Sequence, residues 1–147
     1  MEVAMSVAHI LQHKGHAVIT AKPTDSVKFV AELLSSKRIG AVVVSADGAK
    51  IDGIVSERDV VHALAQHGAA SLGTAISTIM SKNVQTCEEA DSETELMALM
   101  TQNRIRHIPV VAKGKLIGMV SIGDVVKLRV EQIERDAADM KAYIAGG

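Results

Sequence analysis

Two short stretches carry side chains whose types and spacing could do chemistry. They read Gly53-Ile54-Val55-Ser56-Glu57-Arg58-Asp59 and Gly118-Met119-Val120-Ser121-Ile122-Gly123-Asp124, and each is followed by Val-Val. A Ser-x-x-Asp at the point where an apolar strand turns into a helix has two uses. As a capping box, the Ser56 or Ser121 hydroxyl accepts a backbone N–H of the first turn, and Asp59 or Asp124 complements the positive end of the helix dipole. As a ligand site, the carboxylate accepts hydrogen bonds from both hydroxyls of a ribose, with the serine hydroxyl and the helix N-terminus facing phosphate. The two uses can coexist, and the residues alone leave both open.

The elements that must position these residues are readable because the chain is duplicated. Residues 20–26, Thr-Ala-Lys-Pro-Thr-Asp-Ser, align with 86–92, Thr-Cys-Glu-Glu-Ala-Asp-Ser, and Arg38-Ile39 with Arg104-Ile105, all 66 positions apart. After one extra residue in the first turn, 53–61 align with 118–126 at a spacing of 65. A single insertion beside a glycine is what a hairpin turn tolerates. In each copy a short strand (17–20 or 84–87) leads to a helix opened by Ser26 or Ser92, with Val27, Val30, Leu33 and Leu34 at helical spacing. Two strands follow around Asp47-Gly48 (41–45 and 51–56) or Lys113-Gly114 (108–112 and 116–121). A second helix closes each unit, over 57–66 and from 122 onward. The expectation is a mixed fold of α+β or α/β type, made of two β-α-β-β-α repeats. Three short strands and two helices cannot cover both faces of their own sheet, so the copies should pack about a pseudo-two-fold axis with a cleft between them.

With these residues in place the sequence resembles the CBS domain family. The carriers are the order strand, helix, hairpin, then Gly-hydrophobic-hydrophobic-Ser-x-x-Asp at 53–59 and 118–124. Further matches are Ile79-Met80-Ser81-Lys82-Asn83-Val84 leading into the second copy and Arg106-His107-Ile108-Pro109-Val110 before its hairpin. The resemblance spans about residues 16–129 and implies a stand-alone tandem pair, or Bateman module. Its expected division is 1–15 as an N-terminal helical segment, 16–66 and 76–129 as the repeats, 67–75 as linker and 130–147 as a helix extension. It also implies that Asp59 and Asp124 grip ribose, and that Arg106 and His107 stand where related modules contact phosphate. The implied ligand is an adenine nucleotide: AMP, ADP, ATP or NAD(H).

Such a ligand needs apolar walls and cations. With one Phe, one Tyr and no Trp in the chain, the base must be sandwiched by aliphatic side chains. Ile54, Val42, Ile108 and Met119 are candidates, each equally suited to core packing. Arg58, Arg106 and His107 are the first choices for phosphate, with Lys22 and Arg38 behind them and Thr20 completing the set. Counted by the repeat, Arg106 and His107 correspond to Gly40 and Ala41, and Arg58 to Gly123. The two halves of the cleft are therefore expected to be inequivalent, with the Asp59 half favouring a charged mononucleotide.

Composition narrows the alternatives. The 147 residues carry 16 Lys and Arg against 17 Asp and Glu, and hydrophobic residues make up 48%. There is no electrostatic footprint for nucleic acid and no aromatic platform for single-stranded bases. No apolar run of about 18 residues is present to span a membrane. The single cysteine, Cys87, cannot form an internal disulfide, so a reducing, cytoplasmic setting is expected. It reads as a buried, inert thiol. His9, His13 and His16 include an i, i+4 pair, but no acidic or cysteine partner accompanies them, and a solvated face is the plainer reading. No common nucleophile motif or phosphate cradle occurs, so a non-catalytic sensor is expected rather than an enzyme. A structural dimerisation module, its Ser-x-x-Asp boxes serving only as caps, is the alternative.

The last helix runs beyond what the repeat requires. Val126, Val130, Ile133, Ala137, Met140 and Ile144 recur at alternating spacings of four and three, a heptad seam. That stripe should pack either on the N-terminal segment bearing Val3, Val7, Ile10 and Leu11 or on its equivalent in a second chain. By the same resemblance, a homodimer and an effector protein in trans are the implied partners.

Overall fold

The computed structural model describes residues 5–146. The first repeat contains β1 (Thr20–Ala21), α2 (Val27–Lys37), β2 (Ala41–Val44), β3 (Gly53–Ser56) and α3 (Glu57–His67), preceded by α1 (Val7–Lys14). The second contains α4 (Glu93–Asn103), β4 (His107–Ala112), β5 (Lys115–Ser121) and α5 (Ile122–Gly146). In the first, β1 pairs parallel with β2, and β2 antiparallel with β3. The second sheet has only the β4–β5 hairpin. The strand expected at 84–87 shrinks to one parallel bridge between Cys87 and Val110. Cys87 N–H donates to Pro109 and the Cys87 carbonyl accepts from Val111, at 3.0 and 2.9 Å.

Local chemistry explains the helix boundaries. Ser26 and Ser92 accept from Phe29 N–H and Glu95 N–H, three residues on, at 3.0 and 3.2 Å. Arg38 and Arg104 end α2 and α4 in the left-handed conformation, at φ 54° and 53°. The repeat extends to these unusual backbone positions.

The cores cross over. The apolar face of α1 (Val7, Ile10, Leu11) packs not with the first repeat but with Leu96, Met100, Ile108, Val110, Val120, Val125 and Leu128 of the second. The residues between the repeats return the exchange: Ile76, Leu72, Ile79 and Met80 pack with Val27, Val30, Val42, Val44 and Val55 of the first. Hydrogen bonds fix the correspondence. Val27 N–H donates to Thr74 and Ile76 N–H to Asp25, while Glu93 N–H donates to Met5 and Val7 N–H to Asp91. Residues 5–11 thus serve the second repeat as 74–80 serve the first. The expected linker is ordered rather than loose, with a 3₁₀ helix over Gly68–Gly73 and Ser71 buried in it.

Two glycines mark where these segments press on the sheets. A Cβ on Gly53 would lie 2.7 Å from Met80 Sδ and 2.9 Å from the Ser81 carbonyl oxygen, and one on Gly118 would lie 2.7 Å from Leu11 Cδ2. The motif glycines are therefore packing requirements.

The stripe on α5 finds no cover among the described residues. Val126, Val130, Ile133, Met140 and Ile144 are 47% to 70% exposed, while α5 turns Val125 and Leu128 into the core that α1 shares. Of the segment expected to cover the stripe, Val7, Ile10 and Leu11 are buried in the second repeat's core; Val3 lies outside the described residues.

Candidate functional site

At the end of β3 the chain turns directly into α3, and the Ser-x-x-Asp box forms as a cap. Ser56 N–H donates to Asp59 Oδ2 at 2.8 Å, the Ser56 hydroxyl donates to the same oxygen at 3.1 Å, and Asp59 N–H donates back to Ser56 Oγ at 3.3 Å. Both bonds to the carboxylate fall on Oδ2, and none to Oδ1 occurs among the described residues. The box is a capping device and a presented carboxylate at once.

A cavity of about 430 Å³ opens beside it. Ile54, Ser56, Arg58 and Asp59 line it from the first repeat, and Arg106 and His107 from the second. The structure thus brings these six expected residues together across the two copies. Gly40 and Ala41, the first-copy counterparts of Arg106 and His107, line it too. Contact at the centre is close: a Cβ on Gly40 would sit 2.7 Å from His107 Cε1, so the imidazole takes the space that the glycine leaves.

Other expected residues lie elsewhere. Ile108 has no exposed surface and belongs to the second core, and Val42 likewise to the first; neither can wall a cleft. Lys22, Thr20 and Arg38 are not among the residues around the cavity. Lys22 is held in a turn, its N–H donating to Asp25 Oδ2 at 2.8 Å, and Arg38 caps a helix. Ser121 and Asp124 form the second capping box, with Ser121 N–H to Asp124 Oδ2 at 2.9 Å and Asp124 N–H to Ser121 Oγ at 3.2 Å. The surroundings differ from the first. Lys14 Nζ, at the end of α1, donates to Asp124 Oδ2 at 2.7 Å and to the Met119 carbonyl at 2.9 Å. Met119 therefore meets the site through its backbone and is spoken for.

Several lining residues escaped the sequence reading: Glu57, Arg104, Ile105, and the run Ser81, Asn83, Val84 and Gln85. Arg104 could have been found, since its alignment with Arg38 already singled it out. Ser81 was hidden, because its place depends on the crossed linker: Ser81 and Ile54 exchange two backbone hydrogen bonds at 3.0 and 2.9 Å, adding an edge to β3. A second cavity of about 230 Å³ adjoins this region, lined by Arg58, Arg104 and Arg106 with Met100, Thr101, Ile105 and Ile122. The two ion pairs among the described residues, Lys14 with Asp124 and Arg129 with Glu93, involve none of these three arginines.

Electrostatics separate the halves further. Burial opposes ionisation of Asp124, but the Lys14 ammonium and Ser121 N–H outweigh it and hold the carboxyl below its ordinary range. Burial holds the His107 imidazole below its ordinary value; Lys14 and Arg106 push the same way, against Glu57 and Asp124. Burial also pushes the Cys87 thiol up to about 12, with Asp91 adding to it, so it is no nucleophile at neutral pH. No group of three or more His, Cys, Asp or Glu among the described residues is placed to hold a metal ion. His9 is used locally, its Nδ1 accepting Ser6 N–H at 3.2 Å.

The sequence matches the CBS domain family twice, over residues 7–66 and 76–131. The chain belongs to the CBS-domain family. Both CBS matches begin or end close to the crossed segments, and the first includes α1. A mitochondrial CBS domain-containing protein of Arabidopsis thaliana, CBSX3, is 32% identical over 97% of this chain and 73% of its own length. The crystal structure of a CBS-domain containing protein of Agrobacterium tumefaciens, ATU1752, superposes with a TM-score of 0.83 at 45% identity, covering 88% of this chain and 96% of that one. The CBS domain pair of protein MJ0100, solved in complex with 5′-methylthioadenosine and S-adenosyl-L-methionine, gives 0.77 at 26% identity, covering 88% and 99%. The CBS pair as a fold is thereby established. No helix among the described residues is long and apolar enough to cross a membrane.

Proposed function

We propose that this CBS pair is a non-catalytic sensor that binds one phosphorylated adenosine ligand, such as AMP, ADP, ATP or NAD(H), in the cavity beside Asp59. The observation that carries the reading is the convergence of a presented carboxylate, aliphatic walls and arginines from both repeats on one cavity of about 430 Å³. That volume lies within the usual range for small-molecule sites, about 300–1,000 Å³. Asp59 Oδ1 would accept from the ribose hydroxyls, Ile54, Ile105 and Val84 would flank the base, and Arg58, Arg106 and His107 would meet phosphate. The adenosine ligands of the MJ0100 pair support adenosine as the shared core. The three guanidinium groups, which make no ion pair among the described residues, favour a phosphorylated form over an uncharged thioether nucleoside.

The reading includes a homodimer, in which the exposed α5 stripe packs on its symmetry mate, and an effector protein in trans. A reducing compartment such as the cytoplasm suits the free Cys87. The exposed stripe also favours the second reading, a dimerisation module without ligand.

Equilibrium dialysis against AMP, ADP, ATP, NAD and the guanine nucleotides tests the sensor. Saturable binding of an adenine nucleotide, with a rise in melting temperature by mass action, is expected; no binding at millimolar concentration leaves only the dimerisation module. Sedimentation at tens of micromolar should show a dimer, and a 15.5 kDa monomer would remove that part of the reading.

A further inference from the structure

The segments 5–11 and 74–80 do the same work for opposite repeats, and the correspondence places Leu11 with Met80 by their contacts on Gly118 and Gly53. Beyond those residues the two segments diverge. The helical turn over Ile76–Thr78 ends before Met80, and Ser81 pairs as backbone with Ile54. After Leu11 the helix continues through Gln12 and His13 to Lys14, and Gly15 ends it at φ 94°, its N–H donating to Leu11. The edge of β5 at Met119 is therefore met by a side chain instead of a strand.

We propose that Lys14 is a tethered occupant of the Asp124 half of the cleft, closing it to nucleotides and limiting each chain to one site, at Asp59. The proposal rests on the reading of the Asp59 cavity as a nucleotide site. A ribose would bring hydroxyl donors to the aspartate; at Asp124 the ammonium donates in their place, 2.7 Å from Oδ2. The second contact, 2.9 Å to the Met119 carbonyl, directs the lysine across the β5 edge. A nucleotide entering here must displace a cation from its carboxylate, and finds Gly123 where the other half offers Arg58. In the Asp59 half the corresponding carbonyl, of Ile54, is taken by Ser81 N–H at 2.9 Å, and Asp59 has no ion pair among the described residues.

Calorimetry with AMP and ATP counts the sites in the wild type, Lys14→Ala, Lys14→Met, Lys14→Arg and the double variant Lys14→Ala/Asp124→Ala. The expected result is one equivalent per chain in the wild type and in Lys14→Arg, and two in Lys14→Ala. The added site should vanish in the double variant. Lys14→Met keeps the aliphatic stem without the charge and should also show two, which covers the case of Lys14→Ala failing to fold. Two sites in the wild type, or an unchanged count in both uncharged variants, overturns the proposal. A wild type that binds nothing refutes the Asp59 site instead; one site then appearing in Lys14→Ala still upholds the occlusion, and none appearing overturns it as well.

Discussion

Among the described residues, the Asp59 carboxylate takes hydrogen bonds only from its own turn, whereas at Asp124 the same oxygen also carries the ammonium of Lys14. The two junctions share sequence spacing, backbone hydrogen bonds and position in their repeats. They differ in what the crossed segment delivers to the neighbouring strand edge: backbone from Ser81 beside β3, a cation from Lys14 beside β5. A duplicated motif thus specifies a duplicated backbone, but the segment packed against it determines whether the carboxylate carries a cation.

The sharpest way to break this comparison is to remove each carboxylate in turn. Losing a charge-assisted hydrogen bond costs about 1.5–3 kcal/mol, roughly a tenfold to hundredfold fall in affinity. Asp59→Ala and Arg106→Ala should each weaken AMP binding by at least about tenfold, while Asp124→Ala, whose partner is Lys14, should change it little. Calorimetry on variants that retain cooperative unfolding decides it. Equal losses for Asp59→Ala and Asp124→Ala would mean that the halves are functionally alike despite their geometry.

A second contrast concerns what each motif glycine rests against. A Cβ at position 53 meets the Ser81 backbone oxygen at 2.9 Å as well as Met80, whereas at 118 the nearest atoms all belong to the Leu11 side chain. Backbone held in a β-type pairing cannot rotate away, but a leucine can change rotamer. Overpacking costs about 1–3 kcal/mol, and Gly53→Ala should lie towards the upper end of that range with Gly118→Ala below it. Urea denaturation measures both; a larger loss at Gly118 would show that the buried Leu11 is the stiffer neighbour.

These differences mark the limit of what was legible from the sequence. The caps, hairpins and α5 stripe were readable because their causes are local: Ser26 and Ser92 sit three residues before the N–H groups they accept, and the turns carry Gly48 and Gly114. The pairing of Asp59 with Arg106 and His107 followed from the repeat together with the family resemblance. The exchange of segments 5–11 and 74–80 was not readable, because Val7, Ile10 and Leu11 match Ile76, Ile79 and Met80 only in being apolar. Which repeat an apolar face covers is decided by chain path. Lys14 therefore reads as an ordinary last-turn lysine until the fold places it 110 residues away in sequence, against Asp124. Ile108 was misplaced for a related reason, since alternation along a strand does not by itself distinguish a core face from a cleft face.

His107 lies between the halves and feels both, Glu57 from the Asp59 side and Lys14 and Asp124 from the other. Its folded pKa is depressed, first by burial and then by Lys14 and Arg106. The stability it contributes is therefore complete above the ordinary value of 6.5 and is lost as pH falls through the folded value, because the unfolded chain then binds the proton more readily. A phosphate beside the ring acts in the opposite direction, stabilising the imidazolium and raising its pKa. Binding an anionic nucleotide should then take up a fraction of a proton and tighten by a few-fold as pH falls from about 8 to about 6.5. In Lys14→Ala the His107 pKa should rise both with and without ligand, since one of the cations opposing protonation is gone, and the pH dependence of binding should move to higher pH. NMR titration of the His107 ring with and without ligand, alongside calorimetry in buffers of different ionisation enthalpy, measures both effects. An unchanged ring pKa on binding would place the phosphate away from His107 and leave Arg58, Arg104 and Arg106 to hold it.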